Sequence, residues 1–229
     1  MGKKTKSDGK KQARLAKERK REEVMKRCKA WNELADCGSS VLAPALLAFE
    51  GCSISFAASE AVGAEAKGEL FDLLSENMRA MYEASDWGWD EKEKRADLDS
   101  SRARFAIARH GATGGVAGFV HFRFEADDDD EPCRATLYVR EIQVSSTLRS
   151  KGLGRRLMSL LHLIASKLEI DCVMLTVFKA NARARAFYTD KLKYVVDADD
   201  PSKFGDDGQC YVILSKDIPK RPALAAANA

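Results

Sequence analysis

Residues 149–154 read Arg-Ser-Lys-Gly-Leu-Gly, and Arg155 and Arg156 follow at once. Glycines at a helix start let the backbone come close to a ligand, and the first N–H groups of the helix form an anion site. Arg149, Lys151 and Arg155 add full positive charges around Gly152 and Gly154, with Ser150 and Leu153 completing the loop. The chemistry this pattern suits is the cradling of a phosphate or pyrophosphate. A Walker loop would need Gly-Lys-Ser/Thr after a four-residue gap, and a dinucleotide fingerprint would need glycine at 157, where Leu stands. A plain left-handed turn before a helix is the bland alternative.

The elements that must position this loop are legible on both sides. Residues 135–144 carry Thr136, Tyr138, Val139, Ile142 and Val144, the composition of a strand. Leu157, Leu160, Leu161 and Ile164 repeat at helical spacing after the loop. Glu141 lies on that strand a few residues before the cradle. It is either a general base for chemistry near the bound anion or an ordinary strand-surface carboxylate.

Upstream, a first strand is expected over residues 53–61. A helix follows through Leu70, Leu73, Leu74, Met78 and Met81, then an aromatic and acidic loop over 82–89 and a short charged helix over 90–98. Residues 105–109 and 116–124 form a hairpin around a glycine-rich turn. Residues 127–131, four Asp and a Glu, make an acidic loop before the central strand. Downstream, 172–178 is apolar throughout, as in a strand buried on both faces. A helix then carries Ala186, Phe187 and Tyr188, and two last strands lie near 194–196 and 211–214.

Charge is distributed unevenly. The first 30 residues hold 13 Lys or Arg and 4 Asp or Glu, so they carry +9, and the remaining chain carries −6. A single charged helix is expected over 10–36, frayed in its polar first half and docked in its second by Val24, Met25, Cys28, Trp31 and Leu34. The basic run reads equally as a nucleic-acid or localisation patch and as a solvated arm. It lacks the apolar core of a secretory signal, and the apolar run 41–49 is too short to span a bilayer. Six scattered cysteines and three dispersed histidines suggest no metal site and no disulfide framework.

Strand, Arg-x-x-Gly-x-Gly and helix together resemble the acetyl-CoA loop of the GNAT N-acetyltransferases, and the element order over residues 53–215 is similar to theirs. The wording is closer still to one branch. Met-Tyr-Glu-Ala-Ser-Asp-Trp-Gly-Trp at 81–89, His-Phe-Arg-Phe at 121–124, Leu137-Tyr138, Lys-Gly-Leu-Gly at 151–154, Val-Met-Leu-Thr-Val-Phe-Lys at 173–179, Ile-Leu-Ser at 213–215 and the lysine-rich start resemble the N-alpha-acetyltransferase D (NatD) family. That family acetylates the N-terminal amine of histone H4 and the A-type histone H2.

The resemblance implies an α/β GNAT fold with a mixed sheet and an N-terminal basic helical extension. It divides the chain into a basic arm and helix (1–50), an acetyltransferase domain (51–219) and a loose tail (220–229). It implies acetyl-CoA as cosubstrate, no metal, Glu141 as base, and the backbone of Ile142, Gln143 and Val144 against the thioester, with the Val144 N–H as donor. Asn181 corresponds to a pantetheine contact. Tyr188 is either the acid for the departing thiolate or an aromatic packed beside Phe187. Tyr82, Trp87, Tyr138, Thr176 and Tyr211 match substrate-side positions, and Glu125 and Asp127 head an acidic stretch suited to a basic peptide. Arg140 stands where the family has Tyr, so either it turns out of the peptide groove or the peptide shifts register. Histone-tail partners, contact with a nucleosome or ribosome through the arm, a monomeric state and a nuclear and cytoplasmic location go with that family. Two other classes stay open: a GNAT enzyme acting on a lysine side chain or small amine, and a non-catalytic nucleic-acid module.

Overall fold

A long first helix, α1 (Lys3–Asn32), precedes the short strand β1 (Ala48–Phe49) and β2 (Cys52–Ala58). Helices α2 (Ala64–Glu83) and α3 (Glu91–Asp99) follow, then β3 (Arg104–His110), β4 (Val116–Ala126) and β5 (Ala135–Val144). The chain continues through α4 (Leu153–Lys167), β6 (Cys172–Phe178), α5 (Ala182–Ala186), β7 (Val195–Val196) and β8 (Tyr211–Asp217). These assignments come from a computed structural model that describes residues 3–38, 40–126 and 133–220.

The strands form one mixed sheet ordered β1-β2-β3-β4-β5-β6-β8-β7, the expected GNAT architecture. Every neighbouring pair is antiparallel except β5 with β6. Strand β1 escaped the sequence patterns because it is only two residues long. It folds back on β2 through Glu50 (φ 44°) and Gly51 (φ 76°), the left-handed pair of a tight hairpin. One core lies between the sheet and α1 with α4, around Phe122, Phe124, Leu157 and Leu161. A smaller one lies under α2 and α3, around Leu70, Leu74, Phe105 and Phe119. Phe119 thus faces one helix layer and Val120 the other, as the two-residue repeat of a strand requires.

Helix α1 docks through Val24, Cys28 and Trp31, spaced i, i+4, i+7 along one face. Met25, expected in that stripe, is 44% exposed because it lies a quarter turn off the buried face. Trp31 packs on Phe124 with ring centroids 5.6 Å apart. The Asn32 side chain pairs with the Phe124 backbone, donating to its carbonyl at 2.8 Å and accepting its N–H at 3.3 Å. Arg27 donates to the carbonyls of Leu168 and Glu169, satisfying the open end of α4.

The last third of α1 is therefore part of the core, whereas Arg14 sits on an exposed turn and pairs with Glu18. Trp31→Ala should cost about 3 kcal/mol, the size for a buried aromatic truncated to a methyl. That lowers the melting temperature by roughly 6–12 °C for a chain of this size. Arg14→Ala should move it by about a degree or less, since exposed pairs contribute little. Scanning calorimetry of both variants checks the contrast.

Candidate active site

Strand β5 changes sides part-way along. His121 lies opposite Glu141 and Phe122 opposite Val139, so Arg140 has no partner across the ladder and forms a β-bulge. Before the bulge, Leu137 and Val139 face α1 and α4; after it, Ile142 and Val144 do. The extra residue shifts the parity, and Glu141 joins Tyr138 on the face under α2 and α3.

The bulge is also where β5 leaves β6. The two pair only from Thr136 with Cys172 to Val139 with Leu175. Beyond that, β6 continues against β8 to Phe178 while β5 stays with β4. Ser145 N–H donates to the Ala117 carbonyl on β4 at 3.0 Å. Successive strand residues alternate, so the N–H groups of Val144 and Ile142 turn away from β4 into the opening, and that of Gln143 does not.

A cleft of about 360 Å³ opens over this point, lined by Tyr82, Trp87, Lys94, Tyr138, Arg140 and Glu141, among others. Glu141 is almost enclosed, its side chain 11% exposed. It accepts from Gln143 Nε2 at 2.9 Å and lies 4.0 Å from Lys94 Nζ. Burial pushes its carboxyl above the ordinary range, and Lys94 is the largest of the opposing influences. Asn77 on α2 donates to Gln143 Oε1 at 2.9 Å and accepts from Arg149. A chain of hydrogen bonds with one donor direction therefore joins the cradle to the carboxylate, from Arg149 through Asn77 and Gln143 to Glu141.

Aromatic rings close one side. Tyr82 meets Phe178 edge-on at 4.9 Å, and Trp87 contacts Phe178 at 5.1 Å and Tyr211 at 5.0 Å. Tyr138 and Thr176 hydrogen-bond to each other across the β5–β6 boundary. Arg140 stays in the cleft wall, donating to Asp97 on α3, another lining residue, at 2.9 Å. Arg123 binds the same carboxylate at 2.9 Å. Burial alone would raise Asp97, but these two guanidinium groups hold it below its usual value.

Several expected positions also have contacts of their own. Glu125 is two residues along β4 from Arg123, the partner of Tyr138, and its carboxylate lies 3.8 Å from Arg102. Asp127 and the rest of the acidic run 127–131 lie outside the described residues. Asn181 caps α5, its side-chain oxygen accepting from Ala184 N–H at 3.1 Å. Gln143 acts through its side chain rather than its backbone. The Leu153 side chain is buried in the core, leaving only its backbone toward the cradle. Tyr188 sits on a π-helical turn, Phe187–Lys191, buried between the rings of Phe187 (5.3 Å) and Tyr194 (5.8 Å). Burial, reinforced by the Glu141 charge, raises its phenol and keeps it protonated.

Asn77, Lys94 and Asp97 were missed altogether. No motif marks them; they reach the site only because α2 and α3 cross the bulged strand.

The cradle itself is built as a helix start. Gly152 adopts φ 95° at the N-terminal boundary of α4, and a Cβ there would meet the Phe49 ring at 3.2 Å. Arg149 Nε reaches the Val144 carbonyl at 3.4 Å, which ties the loop to the end of β5. Ser150 accepts from Arg183 Nη2 at 2.9 Å across the opening. Lys151 and Arg155 are exposed beside it.

Residues 69–194 match the acetyltransferase (GNAT) family. The chain belongs to that family. Among solved structures, Arabidopsis thaliana NAA60 in complex with a bisubstrate analogue superposes with a TM-score of 0.53 at 13% identity, covering 73% of this chain and 100% of that one. Ard1 from Thermoplasma volcanium gives 0.51 at 14% identity, over 75% and 100%. The NatC complex bound to Gag peptide and CoA gives 0.53 at 14% identity, over 72% and 99%. At such identity the likeness concerns the fold.

A GNAT enzyme transfers an acetyl group from acetyl-CoA, and the residues present fit that donor. The N–H groups of Ile142 and Val144 face an unpaired gap, and the start of α4 with its cations suits a pyrophosphate. A Cβ on Gly154 would make only ordinary contacts, 3.7 Å to Val144 and 3.8 Å to Phe187. The backbone therefore accepts a side chain at 154, but Gly154→Glu would put a carboxylate against the donor's phosphates. The variant should fold and lose acetyl-CoA binding, with circular dichroism and titration calorimetry as the two readouts.

Proposed function

We propose that this GNAT chain is an N-terminal acetyltransferase of the NatD type, moving acetyl from acetyl-CoA to the N-terminal serine amine of histone H4 and the A-type histone H2. One observation carries the reading most. The bulge sets an almost enclosed carboxylate, Glu141, beside the gap where β5 parts from β6, behind a wall of Tyr82, Trp87, Phe178 and Tyr211.

An α-amine has a pKa near ~7.7–8.0, so a sizeable fraction is neutral at physiological pH and a carboxylate is base enough. A lysine amine near ~10.4 would demand a stronger one. Acetyl-CoA supplies the acyl group; the chain's part is to place and to move protons. Glu141 Oε accepts the ammonium proton directly or through a water. The Val144 N–H points to where the carbonyl oxygen gains charge. Tyr188, held protonated, carries a proton for the departing sulfur. The aromatic wall restricts the first residues of the peptide to small ones such as Ser-Gly, and Arg149, Ser150, Lys151, Gly152, Gly154 and Arg155 hold the pyrophosphate. Asn181 lines the pantetheine path with the part of its amide not used in capping. The basic arm on α1 is a contact for nucleosome or ribosome, and the substrate places the enzyme in nucleus and cytoplasm.

Glu141→Gln should lower turnover by roughly 10²-fold or more with acetyl-CoA affinity nearly unchanged, the size of a lost general base. A rate within a factor of about two of wild type at pH 7 would return Glu141 to a structural role. On the peptide side, Ser-Gly-Arg-Gly-Lys, the start of histone H4, should be acetylated on its α-amine. A copy blocked at the N-terminus should react poorly. Mass spectrometry placing the acetyl group mainly on lysine would replace this reading with a lysine acetyltransferase.

A further inference from the structure

Glu141 must be anionic to take a proton, yet it is nearly enclosed, and an isolated buried carboxylate neutralises itself. Some neighbour has to supply positive charge. The titratable and charged groups around it come from five elements: Tyr82 on α2, Lys94 and Asp97 on α3, His121 on β4, Arg140 on β5 and Tyr188 on the turn after α5. The two tyrosines are raised by burial and by the Glu141 charge itself, and stay neutral. His121 is pushed down to about 3 by burial and Arg123, so it is neutral at working pH. Arg140 is committed to Asp97, which Arg123 also holds. The cation that acts on Glu141 most is Lys94.

Its geometry suits the task. Lys94 Nζ donates to the Tyr82 hydroxyl at 2.7 Å and stands 4.0 Å from Glu141 Oε1. The Lys94 and Glu141 side chains are 14% and 11% exposed, so water screens the pair little. Lys94 and Asp97 are three residues apart and share a face of α3. The bridge from Asp97 to Arg140 at the bulge and to Arg123 on β4 therefore pins that face to the sheet.

We propose that Lys94 is a positioning residue for acetyl transfer: its ammonium, anchored on the Tyr82 hydroxyl and braced by the Asp97 bridge, is the counter-charge that keeps the Glu141 carboxylate anionic. This rests on Glu141 being the base. The arrangement also explains the arginine at 140. Its charge is paired with Asp97 in the cleft wall, and the pair fastens α3, and with it Lys94, over the bulge.

The pH dependence has a definite sign. Removing Lys94 takes away the largest influence opposing burial and leaves only the weaker Gln143 hydrogen bond and Arg140, so Glu141 holds its proton to higher pH and the acidic limb of the kcat profile moves up. Lys94→Met should move that limb up by roughly one pH unit or more, a loss of about tenfold on the limb, with recovery toward the wild-type rate above it. Acetyl-CoA affinity should not change, and Lys94→Arg should restore most of the profile. A limb that stays put or moves down in a folded Lys94→Met, whatever the fall in rate, overturns the proposal. If Lys94→Met does not fold, Lys94→Gln is used, and carbon-13 NMR of the Glu141 carboxyl must show the same upward move in titration. Glu141→Gln, run beside it, separates the two ideas. Wild-type turnover there would remove the base, whereas an unmoved limb with an inactive Glu141→Gln would remove only Lys94.

Discussion

The separation of β5 from β6 at Arg140 is the constraint on which the rest depends. A parallel pair held over only four residues leaves the remainder of β5 with one bonded edge and one open one. An open edge in a sheet interior carries unsatisfied N–H groups, which is costly unless a ligand or solvent meets them. Here the opening faces the start of α4. Backbone donors, helix N-terminus and exposed cations converge because one extra residue bends one strand. The same residue reverses the parity of the strand beyond it, so the carboxylate at 141 lies on the face opposite α4. A donor held at α4 and an acceptor reaching Glu141 would meet edge to edge, from opposite sides of the sheet.

Holding a carboxylate in that place requires a second layer of interactions. Burial opposes its charge; Lys94 and the Gln143 amide support it. Gln143 is held by Asn77, and Asn77 by Arg149, so Glu141 and the cradle share one hydrogen-bond chain. Such chains strengthen their members and resist partial disruption. The cleft therefore depends on the packing of α2 and α3 over the bulge as much as on β5 itself.

The sequence carried the fold far and the site unevenly. Helical spacing in α2 and α4, the apolar run of β6 and the hairpin of β3 with β4 are local patterns, and each element appeared where its pattern lay. The cradle was legible for the same reason, since its glycines and cations are contiguous. Glu141 was visible as a carboxylate near the cradle, but the bulge that turns it inward has no signature: a register shift is set by pairing with β4. Lys94 and Asn77 lie 47 and 64 residues before Glu141 in the chain and carry no motif. Glu125 went the other way. Its acidity suggested a basic ligand, and its contact with Arg102 has no local pattern to announce it.

The two charged regions of the chain are also kept apart by the sheet. Helix α1 packs on the face that carries α4, through Val24, Cys28 and Trp31. The cleft with Asp90, Glu93, Lys94 and Glu141 lies on the other face, under α2 and α3. At 0.15 M salt the Debye length is about 8 Å, less than the thickness of a helix-covered sheet. The docked part of α1 and the acids of the cleft therefore act as separate fields.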